Sequence, residues 1–230
     1  MEIRHLEYIA GAREATGIAV IIDVFRAFTT ACYLYHRGAS AVLVTGDVER
    51  AFARRSTHPD TLLAGERNEK KVEGFDLGNS PSEVMQAEVR DREVVLTTSA
   101  GTQGLVNAAK AEKVLAASFV NAPATAAYLK KIAPRTVSLV AMGYNAVTPA
   151  DEDRLCAEYI HALLEGKNPD FGAMEEQIRR GTGQRFFDPD NVNSPEEDYH
   201  LSLMPGRFPY VLEAVPSGGE GLLLLEKTTL

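Results

Sequence analysis

The sequence predicts an α/β fold, with three α/β/α layers in which helices cover both faces of a largely parallel β-sheet. Two observations support this prediction. Short apolar runs rich in Val, Ile and Leu alternate with segments of helical periodicity, and these runs are continuous instead of alternating with polar residues. Continuous apolar strands are typical of parallel sheets that are buried on both faces. We therefore expect right-handed βαβ units over most of the chain.

The first strands and helices follow from the residues that bound them. A strand is predicted over 18–24, and the helix after it ends near Gly38, because glycine favours the position that follows a helix. A strand over 41–45 precedes a helix that Asp47 opens as its N-cap, and a further strand is predicted over 61–65. The pattern is strand, helix, strand, helix, strand.

A polar loop over 62–81 ends in Ser80, Pro81 and Glu83, which predict a capped helix reaching about residue 89. Further strands are predicted over 93–98, 113–118 and 136–142, each followed by a helix. From residue 151 two amphipathic helices, a turn-rich segment with one short helix and two apolar strands follow. We predict an α/β lobe over 1–145 and a helical and β C-terminal lobe or cap over 146–230, with one continuous domain as the alternative.

Composition limits the class of protein. A net charge of −8 argues against a nucleic-acid surface, which needs a basic field. The two cysteines, Cys32 and Cys156, form no metal or disulfide spacing, and a reducing cytoplasm fits them best. No apolar stretch is long enough to span a membrane. The last two apolar runs favour core strands over a subunit contact, so a homodimer is possible but is not predicted from sequence.

Polar residues stand directly after the predicted strands. In an open parallel sheet ligands bind beyond the carboxyl ends of the strands, so we expect these side chains to share one site. Glycines in the 62–81 loop allow backbone N–H groups to approach a ligand there. The candidates are Asp23, Arg26, Glu66, Arg67, Asn79, Thr98, Ser99, Gly101, Thr102, Glu152 and Asp153.

These residue types point to phosphate chemistry. Carboxylates without accompanying histidines suit Mg²⁺, while arginines and a Ser/Thr/Gly turn suit an anion such as phosphate. Each candidate also has a purely structural interpretation. Asp23 can cap the next helix, the two arginines can form surface ion pairs, Glu152 and Asp153 can stabilise a helix N-terminus, and the 98–102 turn can be a plain helix start.

Several familiar phosphatase designs are excluded by spacing. Neither cysteine has an arginine six positions later, and position 25, two after Asp23, is Phe instead of a second Asp. There is no phosphate-binding P-loop motif and no G-x-S-x-G elbow. The sequence therefore does not require a covalent phosphoenzyme.

In their order along the chain, several segments resemble the 2-phosphosulfolactate phosphatase (ComB) family. Four of them are VIIDVFRAFTT, AGERNEKKVEGFDLGNSP, LTTSAGTQGL and GYNAVTPADEDRLCAEYI, and the resemblance covers nearly the whole chain. The combination of GER with GFDLGNSP is specific, whereas IDVxRA alone is weak. It implies a Mg²⁺-dependent phosphomonoester hydrolase that converts 2-phospho-3-sulfolactate and water to 3-sulfolactate and phosphate. It also implies a small anionic phosphorylated substrate and a step of the coenzyme M biosynthesis type.

The family motifs contain the candidate residues but do not assign their roles. Our hypothesis gives catalysis to Asp23, Glu66 and Asp153, and metal binding to these three and Glu152. Arg26, Arg67, Asn79 and the 98–102 turn then bind the substrate. The chain departs from the commoner family pattern at Ala100 and Gln103, where Asn and Arg are expected, which puts the substrate more than the reaction in question. A phosphatase for another small phosphorylated hydroxy acid or sugar, and a catalytically silent anion-binding module, remain as alternatives.

Overall fold

The computed structural model describes residues 1–218 and 221–229. In these ranges the strands are β1 Glu2–Glu7, β2 Ile18–Ile22, β3 Ala41–Val44, β4 Leu62–Arg67, β5 Lys70–Lys71, β6 Glu93–Thr97, β7 Lys113–Ala117, β8 Thr136–Ala141, β9 Tyr210–Pro216 and β10 Leu223–Thr229. The helices are α1 Tyr8–Glu14, α2 Ala27–His36, α3 Val48–Thr57, α4 Pro81–Gln86, α5 Gly101–Asn107, α6 Ala122–Ile132, α7 Asp151–Leu164, α8 Phe171–Arg180 and α9 Glu196–Ser202. Short 3₁₀ turns span Phe119–Asn121 and Thr182–Phe187.

The residues predicted to cap α3 and α4 form capping hydrogen bonds in the structure. The Asp47 carboxylate accepts a hydrogen bond from the Glu49 N–H at 2.9 Å, and the Ser80 hydroxyl accepts one from the Glu83 N–H at 3.2 Å. The predicted capping box of α4 is wrong in one detail. The Glu83 carboxylate accepts a hydrogen bond from the Gly78 N–H, at 2.7 Å, and not from the N–H of the N-cap residue Ser80. The helix also ends at Gln86, three residues earlier than predicted.

One sheet contains all ten strands, in the order β1-β8-β2-β7-β9-β10-β3-β6-β4-β5. Two groups are parallel within themselves, β1-β8-β2-β7 and β3-β6-β4. The β9–β10 hairpin joins them through antiparallel pairings on both sides. The pairings therefore make the two parallel groups antiparallel to each other.

This arrangement corrects the expectation that one parallel sheet would place every strand end at one edge. In a flat sheet the carboxyl ends of β2 and β6 would lie at opposite edges. Instead the Gly101 N–H, after β6, is 2.8 Å from the Asp23 carboxylate, after β2. Five strand-to-strand steps separate these strands, and a twist of about 20–25° per step coils the sheet strongly. We attribute the meeting of the two groups' ends to this coiling.

Helices cover both faces of the sheet. Ala19 and Ile21 of β2 pack into the core with α1, α2, α4 and α5, while Val20 and Ile22 pack into the core with α6, α7 and α8. A third cluster joins α3 to β3, β4 and β6. Because neighbouring residues of one strand enter opposite cores, the strands are buried on both sides. The predicted three-layer α/β fold is confirmed.

The C-terminal segment contributes strands to the middle of the sheet. Val211, Leu212 and Leu225 are at most 1% exposed, which confirms that the last two apolar runs are core strands. The predicted lobe boundary at 145/146 stays a prediction, and the position of β9 and β10 favours one continuous domain. No helix in the described ranges has the length and apolar character to cross a bilayer.

Candidate active site

A small buried cleft lies where the ends of β2, β4, β6 and β8 meet. We call it the Asp23 cleft, and its free volume is about 30 Å³. A larger groove of about 780 Å³ lies near the start of β7 and the turn between β9 and β10, but it contains none of the predicted site residues. The Asp23 cleft is lined by Asp23, Phe25, Arg26, Glu66, Glu69, Asn79, Ser99, Ala100, Gly143, Tyr144, Asn145 and Arg185.

Asp23 is fixed by two backbone N–H groups and is only 4% exposed. Its Oδ1 accepts from the Ala27 N–H at the start of α2, at 3.0 Å, and its Oδ2 accepts from the Gly101 N–H at 2.8 Å. Burial raises the pKa of Asp23 to about 7, against these two hydrogen bonds, and the nearby carboxylates of Glu66 and Glu152 add to the rise. Asp23 therefore supports α2 and also presents a carboxyl group of unusual proton affinity to the cleft.

Glu66 is bound by a second backbone N–H group of the 98–102 turn, that of Ser99. Its Oε1 accepts from the Ser99 N–H at 2.7 Å, and its Oε2 accepts from the Ser99 hydroxyl at 3.1 Å and from the Glu69 N–H at 2.9 Å. Thr98 and Thr102 are fully buried and bond to each other across the turn, so they do not line the cleft. The amides expected to bind substrate phosphate therefore hold the carboxylates of Asp23 and Glu66.

Asp153 and Glu152 lie directly behind the cleft wall. Asp153 accepts from the Val24 N–H at 2.7 Å and from the Gly143 N–H at 2.8 Å, which ties the ends of β2 and β8 to the start of α7. Glu152 accepts a hydrogen bond from the Thr182 hydroxyl. Burial raises the pKa of both carboxyls, and the charge of Asp23 raises that of Asp153 further. Both residues are close to the site, but neither lines it.

The two predicted arginines have different surroundings. Arg26 lines the cleft, and its Nη1 lies 2.5 Å from Oδ2 of Asp198, which is completely buried. Arg67 turns away, since its guanidinium donates to the Thr97 hydroxyl at 2.8 Å and to the Glu66 and Gly46 carbonyls. Arg26 therefore remains a candidate for phosphate binding, whereas Arg67 braces β4 against β6.

Asn79 supplies an unusual feature of the cleft. Its side chain is 6% exposed, and its Oδ1 has no hydrogen-bond partner within residues 1–218 and 221–229. A buried acceptor without a donor is costly, so such an atom calls for a specific explanation. A bound cation or a donor on the substrate would satisfy it.

Three charged residues at the site were not predicted from sequence. Glu69 and Arg185 line the cleft, and Asp198 pairs with Arg26. Asp198 also accepts from the Ser80 hydroxyl at 2.9 Å and from the Ser82 N–H at 2.8 Å. Arg185 and Asp198 come from the turn-rich C-terminal segment, where no strand end marks a position as part of a site. The aromatic neighbours of Arg185 in the sequence RFF were a signal that the sequence offered.

The cleft contains oxygen donors of the type that Mg²⁺ takes as ligands. Among the residues that the structure describes, no group of three or more His, Cys, Asp or Glu side chains is arranged to hold a metal. Mg²⁺ needs fewer, since it usually takes one or two carboxylates together with water and substrate oxygens. Glu66 and the unpartnered Oδ1 of Asn79 provide donors of this kind, and Asp23 lies in the same cleft.

Comparison with known proteins assigns the chain to the phosphatases that hydrolyse phosphoric monoesters. The fold and the acidic cleft suit this class. Residues 6–181 match the family model described as 2-phosphosulpholactate phosphatase. The chain therefore belongs to the 2-phosphosulpholactate phosphatase family. The match ends before Arg185 and Asp198.

Bacterial relatives agree with this family. A probable 2-phosphosulfolactate phosphatase of Deinococcus radiodurans is 41% identical over 170 residues, which is 72% of this chain and 71% of that protein. One from Bacillus subtilis is 33% identical over 74% of this chain and 75% of its own length. One from Caldicellulosiruptor saccharolyticus is 35% identical over 80% and 77%, respectively.

Proposed function

We propose that this protein hydrolyses 2-phospho-3-sulfolactate to 3-sulfolactate and phosphate in a Mg²⁺-dependent reaction. The observation that carries the proposal is the joint presence of Asp23, Glu66 and Arg26 in one cleft with the unpartnered Asn79 oxygen. A passive anion site has no use for buried carboxylates beside its arginine. Family membership and the names of the relatives support the same substrate.

Each group in the cleft has a role in this reaction. Arg26, fixed by Asp198, binds phosphate oxygens with its guanidinium. Asp23 orients the attacking water and holds the proton that the water gives up, a task suited to a carboxyl whose pKa is about 7. Glu66 and Asn79 would hold Mg²⁺, which when bound neutralises phosphate charge. The water oxygen bonds to phosphorus, the bond to the ester oxygen breaks, and that oxygen leaves with a proton as the hydroxyl of 3-sulfolactate.

The departure from the family pattern favours a second candidate. Ala100 lines the cleft and offers no polar side-chain atom where an Asn is expected, and Gln103 donates to the Gly46 carbonyl at 2.7 Å, outside the cleft lining. A phosphatase for another small phosphorylated hydroxy acid or sugar would not need those donors. A role in coenzyme M biosynthesis and a cytoplasmic location depend on the first candidate and are proposals with it.

Phosphate release measured over a substrate panel tests these candidates. We expect release from 2-phospho-3-sulfolactate with MgCl₂ and its loss with EDTA. A higher kcat/KM for 2-phospholactate or a sugar phosphate would select the second candidate. Tight binding of these esters without turnover in Mg²⁺, Mn²⁺ or Co²⁺ would instead indicate an anion-binding module and refute both.

A further inference from the structure

Arg185 places a second guanidinium in the Asp23 cleft. It lies in the turn Thr182–Phe187, and its side chain is 22% exposed. The guanidinium carbon lies 5.6 Å from the ring centre of Phe25, 5.9 Å from that of Tyr144 and 5.0 Å from that of Phe186. Aromatic rings at these distances attract the cation and restrict its orientation. The structure thus places Arg185 at the cleft wall among three aromatic rings.

The closest charged partner of Arg185 is Glu69. The distance from its Nε to Oε1 of Glu69 is 3.1 Å, and its Nη2 lies 3.9 Å from Oε1 of Glu152. Unlike Asp198, which is completely buried beside Arg26, Glu69 has a side chain that is 27% exposed. A partly exposed carboxylate at a loop tip can be displaced by another anion at lower cost than a buried one.

Glu69 also occupies a backbone position that favours glycine. It is the second residue of the two-residue turn between β4 and β5, and both Asn68 and Glu69 have positive φ, 53° and 65°. Asn-Gly is the usual pair in such a turn, because glutamate in the left-handed region is strained. Strained residues of this kind concentrate at functional sites. Here the strained position carries the carboxylate that pairs with Arg185.

The Asp23 cleft is too small to take both ends of a substrate. About 30 Å³ is too small for a whole phosphorylated acid, so only its reacting end can enter deeply. A neighbouring groove of about 360 Å³ shares Glu69 and Asn79 with the cleft and also contains Lys71. The rest of the substrate then lies toward the boundary between the two spaces, where Glu69 lines both and its partner Arg185 lines the cleft.

We propose that Arg185 binds the anionic group at the non-reacting end of the substrate, the sulfonate, and that this group takes the place of Glu69. The inference rests on the proposed function, in which the substrate carries a sulfonate besides its phosphate. A planar guanidinium binds such an oxyanion through two parallel hydrogen bonds. Arg26 then binds the phosphate, and Arg185 sets the specificity for a substrate that carries a sulfonate.

Calorimetric binding of two probes, 3-sulfolactate and inorganic phosphate, to the full chain in MgCl₂ tests these two roles. Arg185→Gln should weaken 3-sulfolactate binding at least tenfold and change phosphate binding less than twofold. Arg179→Gln is the matched control, because Arg179 stacks on Phe187 at 4.4 Å and does not line the cleft, and it should change neither affinity. Glu69→Gln should tighten 3-sulfolactate binding more than phosphate binding.

Three outcomes would overturn the inference: equal weakening of both probes in Arg185→Gln, no weakening, or no binding of 3-sulfolactate by the unsubstituted protein. If Arg185→Gln does not fold, Arg185→Lys replaces it and should weaken 3-sulfolactate alone by a few-fold, because it keeps the charge but not the planar fork. Failure of the unsubstituted protein to release phosphate from 2-phospho-3-sulfolactate would refute the proposed function, whereas these affinities decide the role of Arg185.

Discussion

Among the single residues of the site, Asp23 has both a structural and a proposed catalytic role. Its carboxylate accepts from two backbone N–H groups and also faces the cleft. Asp23→Asn keeps the size of the side chain but removes the charge and the proton-accepting capacity. We expect kcat for phosphate release to fall by about 100-fold or more, the usual range for loss of a general base. Steady-state kinetics measures the change.

Asp47→Asn is the control for this substitution, because Asn caps a helix about as well as Asp. It should leave kcat unchanged. Circular dichroism must show that Asp23→Asn retains the fold. A folded Asp23→Asn protein with normal turnover would remove this carboxylate from the mechanism.

Asp198 stabilises the protein through the charge of Arg26. It is fully buried and is bonded by Arg26, by the Ser80 hydroxyl and by the Ser82 N–H. Asp198→Asn leaves a buried guanidinium without its counter-charge, so we expect the free energy of unfolding to fall by about 3 kcal/mol. Urea denaturation measures it. Glu176→Gln, which breaks the exposed pair with Arg180, should change it by less than about 0.5 kcal/mol.

How far the site could be predicted from sequence depends on the direction of each side chain. Strand ends correctly indicated Asp23 and Glu66 as neighbours. Glu66 and Arg67, however, are consecutive residues of β4, and successive side chains of a strand point to opposite faces. Only one of them can enter the cleft. The phase of this alternation is set by tertiary packing, so the sequence alone does not fix it.

Between elements, Glu93 connects α3 to the start of β6 in a pH-dependent way. Arg54 donates to both of its carboxylate oxygens, at 2.9 and 2.8 Å, and Thr61 donates to Oε1 at 2.7 Å. Chiefly because of the bonds from Arg54, the pKa of Glu93 lies below its ordinary value of 4.5. The folded state therefore favours the charged form, and Glu93 stabilises the fold above pH 4.5 but not below its own lowered pKa.

Glu93→Gln should accordingly lower the free energy of unfolding by roughly 1 kcal/mol at pH 7. The difference from the unsubstituted protein should shrink as the pH falls below 4.5. Urea denaturation at pH 7, 5 and 3.5 measures it, with Glu88→Gln at an exposed position as the control. A difference that stays constant over this range would exclude the charged hydrogen bonds as its cause.

At the same scale, the sequence signalled elements with caps or long apolar runs and missed those without them. The helix N-caps Asp47 and Ser80 were correct because each cap is a local interaction. β1 and α1 were missed, since the charged residues of EIRHLE hide a strand. β1 pairs with β8 at the edge of the sheet, where half of its side chains face solvent. An edge strand of this composition resembles a loop in the sequence.

For the molecule as a whole, the β9–β10 hairpin is the joint between two sheet halves. The hairpin lies between β7 and β3. In the described sheet, the edge of each of these strands that faces the hairpin pairs with the hairpin alone. The sequence predicted the strands but not this position, because pairing between distant segments leaves no local pattern. Removing residues 207–230 should therefore abolish cooperative unfolding, although β1 to β8 remain in the chain.

Near-ultraviolet circular dichroism and urea titration measure this loss. Leu225→Ala, a milder change in the same hairpin at a fully buried position, should keep a cooperative transition and cost about 2–5 kcal/mol. A shortened chain that unfolds with the unsubstituted protein's urea dependence would show that the two halves are stable without the joint.

The position of the hairpin also governs how the chain can fold while the ribosome makes it. About 90 residues separate β7 from β9, which at 5–20 residues per second corresponds to about 5–20 seconds of translation. During that interval β3 and β7 emerge as complete strands with open edges, the kind of surface that pairs with other nascent chains. These edges are therefore covered only after β9 and β10 have been synthesised, and until then a chaperone that binds them would prevent such pairing.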